Sequence, residues 1–270
     1  MRYHERHTSY EVCRVRVLRS TNREEAEIVS ITALKVACKN CSLFQLCLPV
    51  GIDECDLKKL DGIIERRRPM ERGAYLYRDG APFESIYAVR SGSIKTYTAT
   101  HDGHEQVTGF HLAGELLGLD AINSGSHPCT AKVLETTSVC EIPFSSLEDL
   151  SDQVPGLQRQ LLKIMSKELL AEQSLLTLLG KKNSQERLAA FLVSLSDRYQ
   201  QRGFSSTEFH LSMSRDDIGN YLGLAMETVS RMFTRFQNEG LLRVDGRHVR
   251  ILNLAHLRAL ANEGRLAISA

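Results

Sequence analysis

The chain has 270 residues, 42% hydrophobic and 25% charged, which suits a protein of about two globular domains. Its formal net charge is +1, so bulk electrostatic attraction to nucleic acid is not evident. No apolar run reaches the ~18 residues of a membrane span and no signal-peptide pattern is present, which predicts a cytoplasmic protein with no membrane partner.

Residues 1–30 are polar, mix both signs of charge and show no periodicity; they read as a mobile N-terminal extension. Seven cysteines (Cys13, Cys38, Cys41, Cys47, Cys55, Cys129 and Cys140) are not expected to form disulfides in a cytoplasmic chain. Residues 31–56 hold three of them, Cys38, Cys41 and Cys47, spaced C-x2-C-x5-C. Thiolates at that spacing can converge on one metal centre. Structural zinc normally brings a second close pair of ligands, and none follows. A redox-active C-x-x-C belongs at a strand-to-helix turn, which this irregular segment does not resemble. Three clustered thiolates with one distant thiolate suit a cubane iron–sulfur cluster, the favoured reading over zinc or unligated thiols.

Residues 57–145 change to short strands punctuated by glycines, among them Gly73, Gly80, Gly92, Gly103, Gly109, Gly114 and Gly118. That pattern predicts a small antiparallel roll. Cys140 falls on its last strand, and for Cys140, Cys129 and Cys55 the plain reading is a small packing residue. Residues 146–181 turn helical, with Pro155 compatible with a first helical turn. Leu162, Met165, Leu169, Glu172, Leu176 and Leu179 alternate steps of three and four, a heptad seam expected to pair with a second copy of the chain. Leu161, Ile164, Leu175 and Leu178 form a neighbouring face expected to pack on the roll.

Residues 182–270 open with a polar hinge and a helix over 185–199. Residues 214–239 then read as two helices joined by a tight turn: Ser214 caps the first and Gly223 breaks it. In the second helix Val229, Met232, Phe233 and Phe236 share one side. Glu227, Ser230, Arg231 and Thr234 share the other, a polar face suited to reading base edges of double-stranded DNA. A hairpin turning at Asp245-Gly246 follows as a wing. From residue 183 onward there are eleven arginines, no lysine and nine acidic residues, which favours selective contacts over a general basic coat.

The order of roll, long helix and winged helix-turn-helix resembles the CRP/FNR superfamily, and within it the oxygen-responsive FNR/Anr branch. The carrying motifs are the cysteine spacing, GFHLAGELLG from Gly109, LETTSVCEIP at the end of the roll, and RDDIGNYLGLAMETVSRMFTRFQ. The resemblance implies an α+β fold and a homodimer when the cluster is intact. It implies a [4Fe–4S] cluster on Cys38, Cys41, Cys47 and Cys140, and Glu227, Ser230 and Arg231 reading a TTGAT-like half-site of a palindrome. It also implies an RNA polymerase contact at Ala99, Thr100, His101, Asp102 and Gly103. Cyclic AMP, the superfamily's other input, is not expected: no arginine follows Gly114-Glu115 as far as Val133 to hold a buried phosphodiester. The first 30 residues exceed what the family usually carries.

Two other functions compete. An iron–sulfur electron carrier would have no use for a DNA-reading module, and no dinucleotide-binding glycine pattern accompanies the single cysteine motif. A regulator of the same fold gated by another ligand would leave the cysteines incidental.

Overall fold

The computed structural model describes residues 38–99 and 103–262. The extension 1–30, Cys13 and the residues Thr100, His101 and Asp102 lie outside the described residues.

Two single 3-10 turns, Cys38–Asn40 and Phe44–Leu46, carry the cysteine segment into α1 (Glu54–Ile63). This helix was not expected, and the boundary drawn between 56 and 57 cuts through it. Its cause is local: Asp53 accepts from the Asp56 N–H as an N-cap, and Leu57 and Leu60 turn inward one turn apart.

Eight strands follow: β1 (Glu65–Arg66), β2 (Tyr75–Tyr77), β3 (Ser85–Ser91), β4 (Ser93–Ala99), β5 (Glu105–Leu112), β6 (Leu116–Leu117), β7 (Thr130–Val133) and β8 (Ser138–Pro143). They form two antiparallel sheets, ordered β1-β8-β3-β6 and β2-β7-β4-β5. Alternation along the first sheet sorts its side chains into two cores. Tyr87, Val89, Leu117 and Val139 point into the roll, beside Cys129 and Ile94. Ile86, Ala88, Leu116, Ile142 and, partly, Cys140 point outward beneath helices and the cysteine segment. With both faces covered, β3 reads as a continuous apolar run rather than an alternating one.

The helical stretch expected over 146–181 is two helices, α2 (Phe144–Gln153) and α3 (Pro155–Lys181), broken at Val154. Val154 is extended (φ −124°, ψ 85°), because the proline ring disfavours a helical conformation at the residue before it. Leu161 and Ile164 of α3 pack on the outer core of the roll, as expected, joined by Leu157, whereas Leu178 belongs to the C-terminal core and Leu175 to neither.

The C-terminal unit comprises α4 (Ser184–Gln201), β9 (Glu208–His210), α5 (Arg215–Leu222), α6 (Met226–Asn238), β10 (Leu242–Asp245), β11 (His248–Ile251) and α7 (Leu254–Asn262). Capping boxes start two of its helices, Asn183 with Glu186 for α4 and Ser214 with Asp217 for α5. The turn between α5 and α6 is close enough that a Cβ on Gly219 would lie 2.6 Å from the Leu224 carbonyl oxygen, so glycine is required there. The wing has a third strand, β9, that the sequence reading lacked. Asp245 pairs with His248, so the two turn residues are Gly246 and Arg247 rather than Asp245 and Gly246.

Candidate metal centre and nucleic-acid interface

Cys38, Cys41, Cys47 and Cys140 line one pocket. Each arrives for a separate local reason. The two 3-10 turns fold the segment back on itself, with Cys41 N–H donating to the Cys38 carbonyl (3.1 Å) and Phe44 N–H to that of Cys41 (3.1 Å). Cys38 N–H also donates to Asp61 Oδ1 (3.0 Å), and Asp61 pairs with Arg66 at the start of the roll. Cys47 is anchored from α3, where Gln160 Nε2 donates to its carbonyl (3.3 Å), and the neighbouring Leu48 is wholly buried. Cys140 stands opposite Ala88 and Arg66 in the sheet, on the outward face directly below the segment. Cys129 lies inside the roll and Cys55 is exposed on α1; neither lines the pocket.

Among the described residues no three His, Cys, Asp or Glu side chains are arranged to hold a metal ion, so the four sulfurs share a wall without converging. The donor set still fits a thiolate-held group. No histidine or carboxylate lines the pocket, and apart from Arg90 its other walls are apolar or backbone. Burial pushes the Cys47 thiol up to about 12 and raises that of Cys140. Burial, then the Asp61 carboxylate, pushes Cys38 up to about 12. These thiols are therefore held protonated, and ligation must displace protons as it supplies positive charge. Arg66 and Arg90 already favour the thiolate of Cys140. The sequence reading missed Arg66, Arg90 and Asp61, because nothing in a one-dimensional pattern ties a lone arginine at a strand end to cysteines on other elements.

On α6 the expected division of faces is realised. Val229, Phe233 and Phe236 are buried and Met232 is half-buried, while Glu227, Ser230, Arg231 and Thr234 are exposed. Ser230, Arg231 and Thr234 line an open groove continued by Arg235 and Asn238. Arg231 is tethered only lightly, Nη2 donating to Thr228 Oγ1 (3.1 Å).

The arginine-rich tail reads differently in three dimensions. Arg187 donates to the carbonyls of Leu179, Lys182 and Leu222, Arg247 to that of Ser212, and Arg250 and Arg258 pair with Glu208 and Asp197. Arg198 and Arg202 are bound to Glu115. Most of these guanidiniums are internal fasteners rather than the selective external contacts expected of them.

Along α3 the seam lies open: Leu162 is 62% exposed, Met165 42%, Leu169 56% and Leu176 70%. Glu172 is exposed between them, and Leu170, not expected in the seam, widens the apolar strip. Leu179 departs from the group; it is half-buried and approaches Gly223 of the C-terminal unit. A contiguous apolar strip of this length on an otherwise polar helix marks an interaction surface.

Residues 186–260 match the family described as the Crp-like helix-turn-helix domain, and residues 67–154 the cyclic nucleotide-binding domain. The chain is 52% identical over 237 residues (87% of this chain and 97% of the relative) to the transcriptional activator protein Anr of Pseudomonas aeruginosa. It is 52% identical over 230 residues (85% and 92%) to the fumarate and nitrate reduction regulatory protein of Escherichia coli. Among solved structures, FixK2 from Bradyrhizobium japonicum matches with a TM-score of 0.68 at 32% identity, covering 73% of this chain and 97% of that one. Roll, seam and winged reading helix together define a DNA-binding transcription regulator. The chain belongs to the Crp/Fnr family of such regulators. No helix among the described residues is long and apolar enough to cross a membrane.

Proposed function

We propose that this regulator senses oxygen through a [4Fe–4S] cluster held by Cys38, Cys41, Cys47 and Cys140, and that cluster state governs dimerisation and DNA binding. The carrying observation is that four cysteines from two distant stretches line one pocket whose floor, the outer core of the roll, is shared with α3. A bound cluster supplies an oxygen-labile centre. The protein's own residues do the rest: Gln160 and Leu48 tie the segment to α3 and the core, and α3 presents Leu162, Met165, Leu169 and Leu176 to a second copy. Dimerisation sets two α6 helices on a TTGAT-N4-ATCAA-like palindrome. Cyclic AMP has no place in this reading, since the stretch after Glu115 offers no guanidinium for its phosphate.

Protein purified without oxygen should be brown and bind the palindrome. Air should bleach the colour and release the DNA in parallel. Colourless protein with oxygen-independent binding would leave the cysteines incidental and favour a regulator gated by another ligand.

Within the reading face, Arg231 takes guanine bidentately, Glu227 the cytosine side and Ser230 a neighbouring pair. Arg231→Ala should cost roughly 1–3 kcal/mol on the specific site and relax specificity at one position, with little change on random DNA. Equal losses on both DNAs in a binding titration would make Arg231 a phosphate contact.

RNA polymerase is the second partner. The contact is assigned to Ala99, Thr100, His101, Asp102 and Gly103, of which Ala99 ends β4 and Gly103 (φ +83°) precedes β5. Alanine at Thr100, His101 and Asp102 together should lower transcription in a purified system and leave DNA affinity unchanged. A matching fall in DNA affinity would remove the polymerase assignment.

A further inference from the structure

The C-terminal unit does not hang freely from α3; it is docked on its own roll. β5 is an edge strand, and α5 lies against it. Asn220 completes that edge, accepting from the Val107 N–H through Oδ1 and donating to the Glu105 carbonyl through Nδ2. Gln106 Nε2 donates to the Asn220 carbonyl (2.8 Å). Lys95 Nζ donates to Asp217 Oδ1 (2.8 Å), and Ser93 Oγ to Ser212 Oγ (2.7 Å). Phe110 and Leu112 of β5 share one core with Phe191, Ile218 and Leu222.

At the centre is Glu115, on the turn between β5 and β6. Its carboxylate accepts from the Leu112 N–H (3.0 Å), from Arg198 Nε (3.0 Å) and Nη2, and from Arg202 Nη2. The same two arginines also donate to the Phe110 and Ala113 carbonyls. Burial alone would raise the Glu115 carboxyl, but Arg198 and then Arg202 hold it down to about 2. One carboxylate thus clamps α4 against the roll through two guanidiniums, a geometry in which each member is costly to leave alone.

The docking covers none of the reading face: Glu227, Ser230 and Arg231 remain exposed. It fixes where that face points without hiding it. The geometry points to Glu115 as a positioning residue that, through Arg198 and Arg202, sets the direction of α6 relative to the α3 seam and so the register of two reading helices across a palindrome. The inference rests on the proposal that the chain binds palindromic DNA as a dimer. Two reading helices held at one separation act at high effective concentration on two half-sites; a loosened pair loses that gain and its preference for one spacing.

The test uses full-length protein purified without oxygen, titrated on the palindrome, on palindromes with the spacer one base pair longer or shorter, and on a single half-site. Glu115→Gln keeps the side-chain shape and removes the charge. It should weaken binding to the preferred palindrome roughly tenfold or more and flatten the spacer preference, with half-site binding unchanged. If Glu115→Gln does not fold by circular dichroism, Asn220→Ala, at the partly exposed edge of the same contact, should show the same flattening. An unchanged spacer profile in a folded variant overturns the assignment. So does tighter palindrome binding, which would make the docking a restraint, and so does an equal loss on half-site and palindrome. Failure of the unsubstituted protein to bind any palindrome would instead sink the functional reading beneath it.

Discussion

Alanine at Cys38, Cys41, Cys47 or Cys140 is expected to abolish cluster content and anaerobic DNA binding, each as completely as the others. The pocket gives no substitute donor, because no histidine or carboxylate lines it and the remaining walls are apolar apart from Arg90 and backbone. A group missing one thiolate would be held by only three. Cys129→Ala and Cys55→Ala should leave iron and sulfide content intact, and so should Cys13→Ala. The reason for Cys129 is the pleat of the first sheet: Cys140 faces outward with Ile142 and Ala88, whereas Cys129 faces the roll interior, its Sγ 3.4 Å from Asp120 Oδ2. Reaching the pocket would require Cys129 to cross the sheet. Iron and sulfide analysis with an absorption spectrum decides the matter, and a Cys129→Ala protein lacking cluster beside a Cys140→Ala protein retaining it would reverse the fourth-ligand assignment.

The second large effect concerns Glu172. It is exposed on α3 between Leu169 and Leu176, in the middle of the open seam. In a symmetric parallel pair two copies of Glu172 meet near the axis. Like charges about 4 Å apart repel by about 1 kcal/mol in water and about 4 kcal/mol at a partly screened surface. Removing them should therefore raise the dimerisation constant by roughly fivefold to a thousandfold. Glu172→Leu also adds apolar area to the seam and should exceed Glu172→Ala. Both variants should sediment as dimers in air and bind the palindrome with no cluster present. A monomer under oxygen would show that the seam is not held at balance by this carboxylate.

What could be read from the chain was local, and what could not was mostly contact between distant segments. The helix-turn-helix was legible because its caps, its break at Gly223 and its apolar stripe all lie within two dozen residues. The cysteine spacing was equally plain, while the fourth cysteine came only through the family resemblance, since a strand cysteine looks like packing. The helix at α1 was lost in a stretch where charged residues outnumber apolar ones, leaving a short periodicity of Leu57, Leu60 and Ile63. Glu115 entered the sequence argument only within the GFHLAGELLG motif and in the case against cyclic AMP; its bond to Arg198 spans 83 residues, and helical or strand period carries no information over such distances. The seam was legible except at its end, where Leu179 is claimed by the C-terminal unit.

The internal use of the tail's arginines bears on how the regulator finds its sites. Affinity for DNA in general comes from cations that displace the counterions along the phosphates. This tail has no lysine, and Arg187, Arg198, Arg202, Arg247, Arg250 and Arg258 are engaged with the protein itself. That leaves fewer cations to grip the backbone regardless of sequence. The expected consequence is a shallow dependence of affinity on ionic strength and short travel along the duplex between encounters, with a promoter's occupancy following the quality of its base sequence more than the abundance of surrounding DNA.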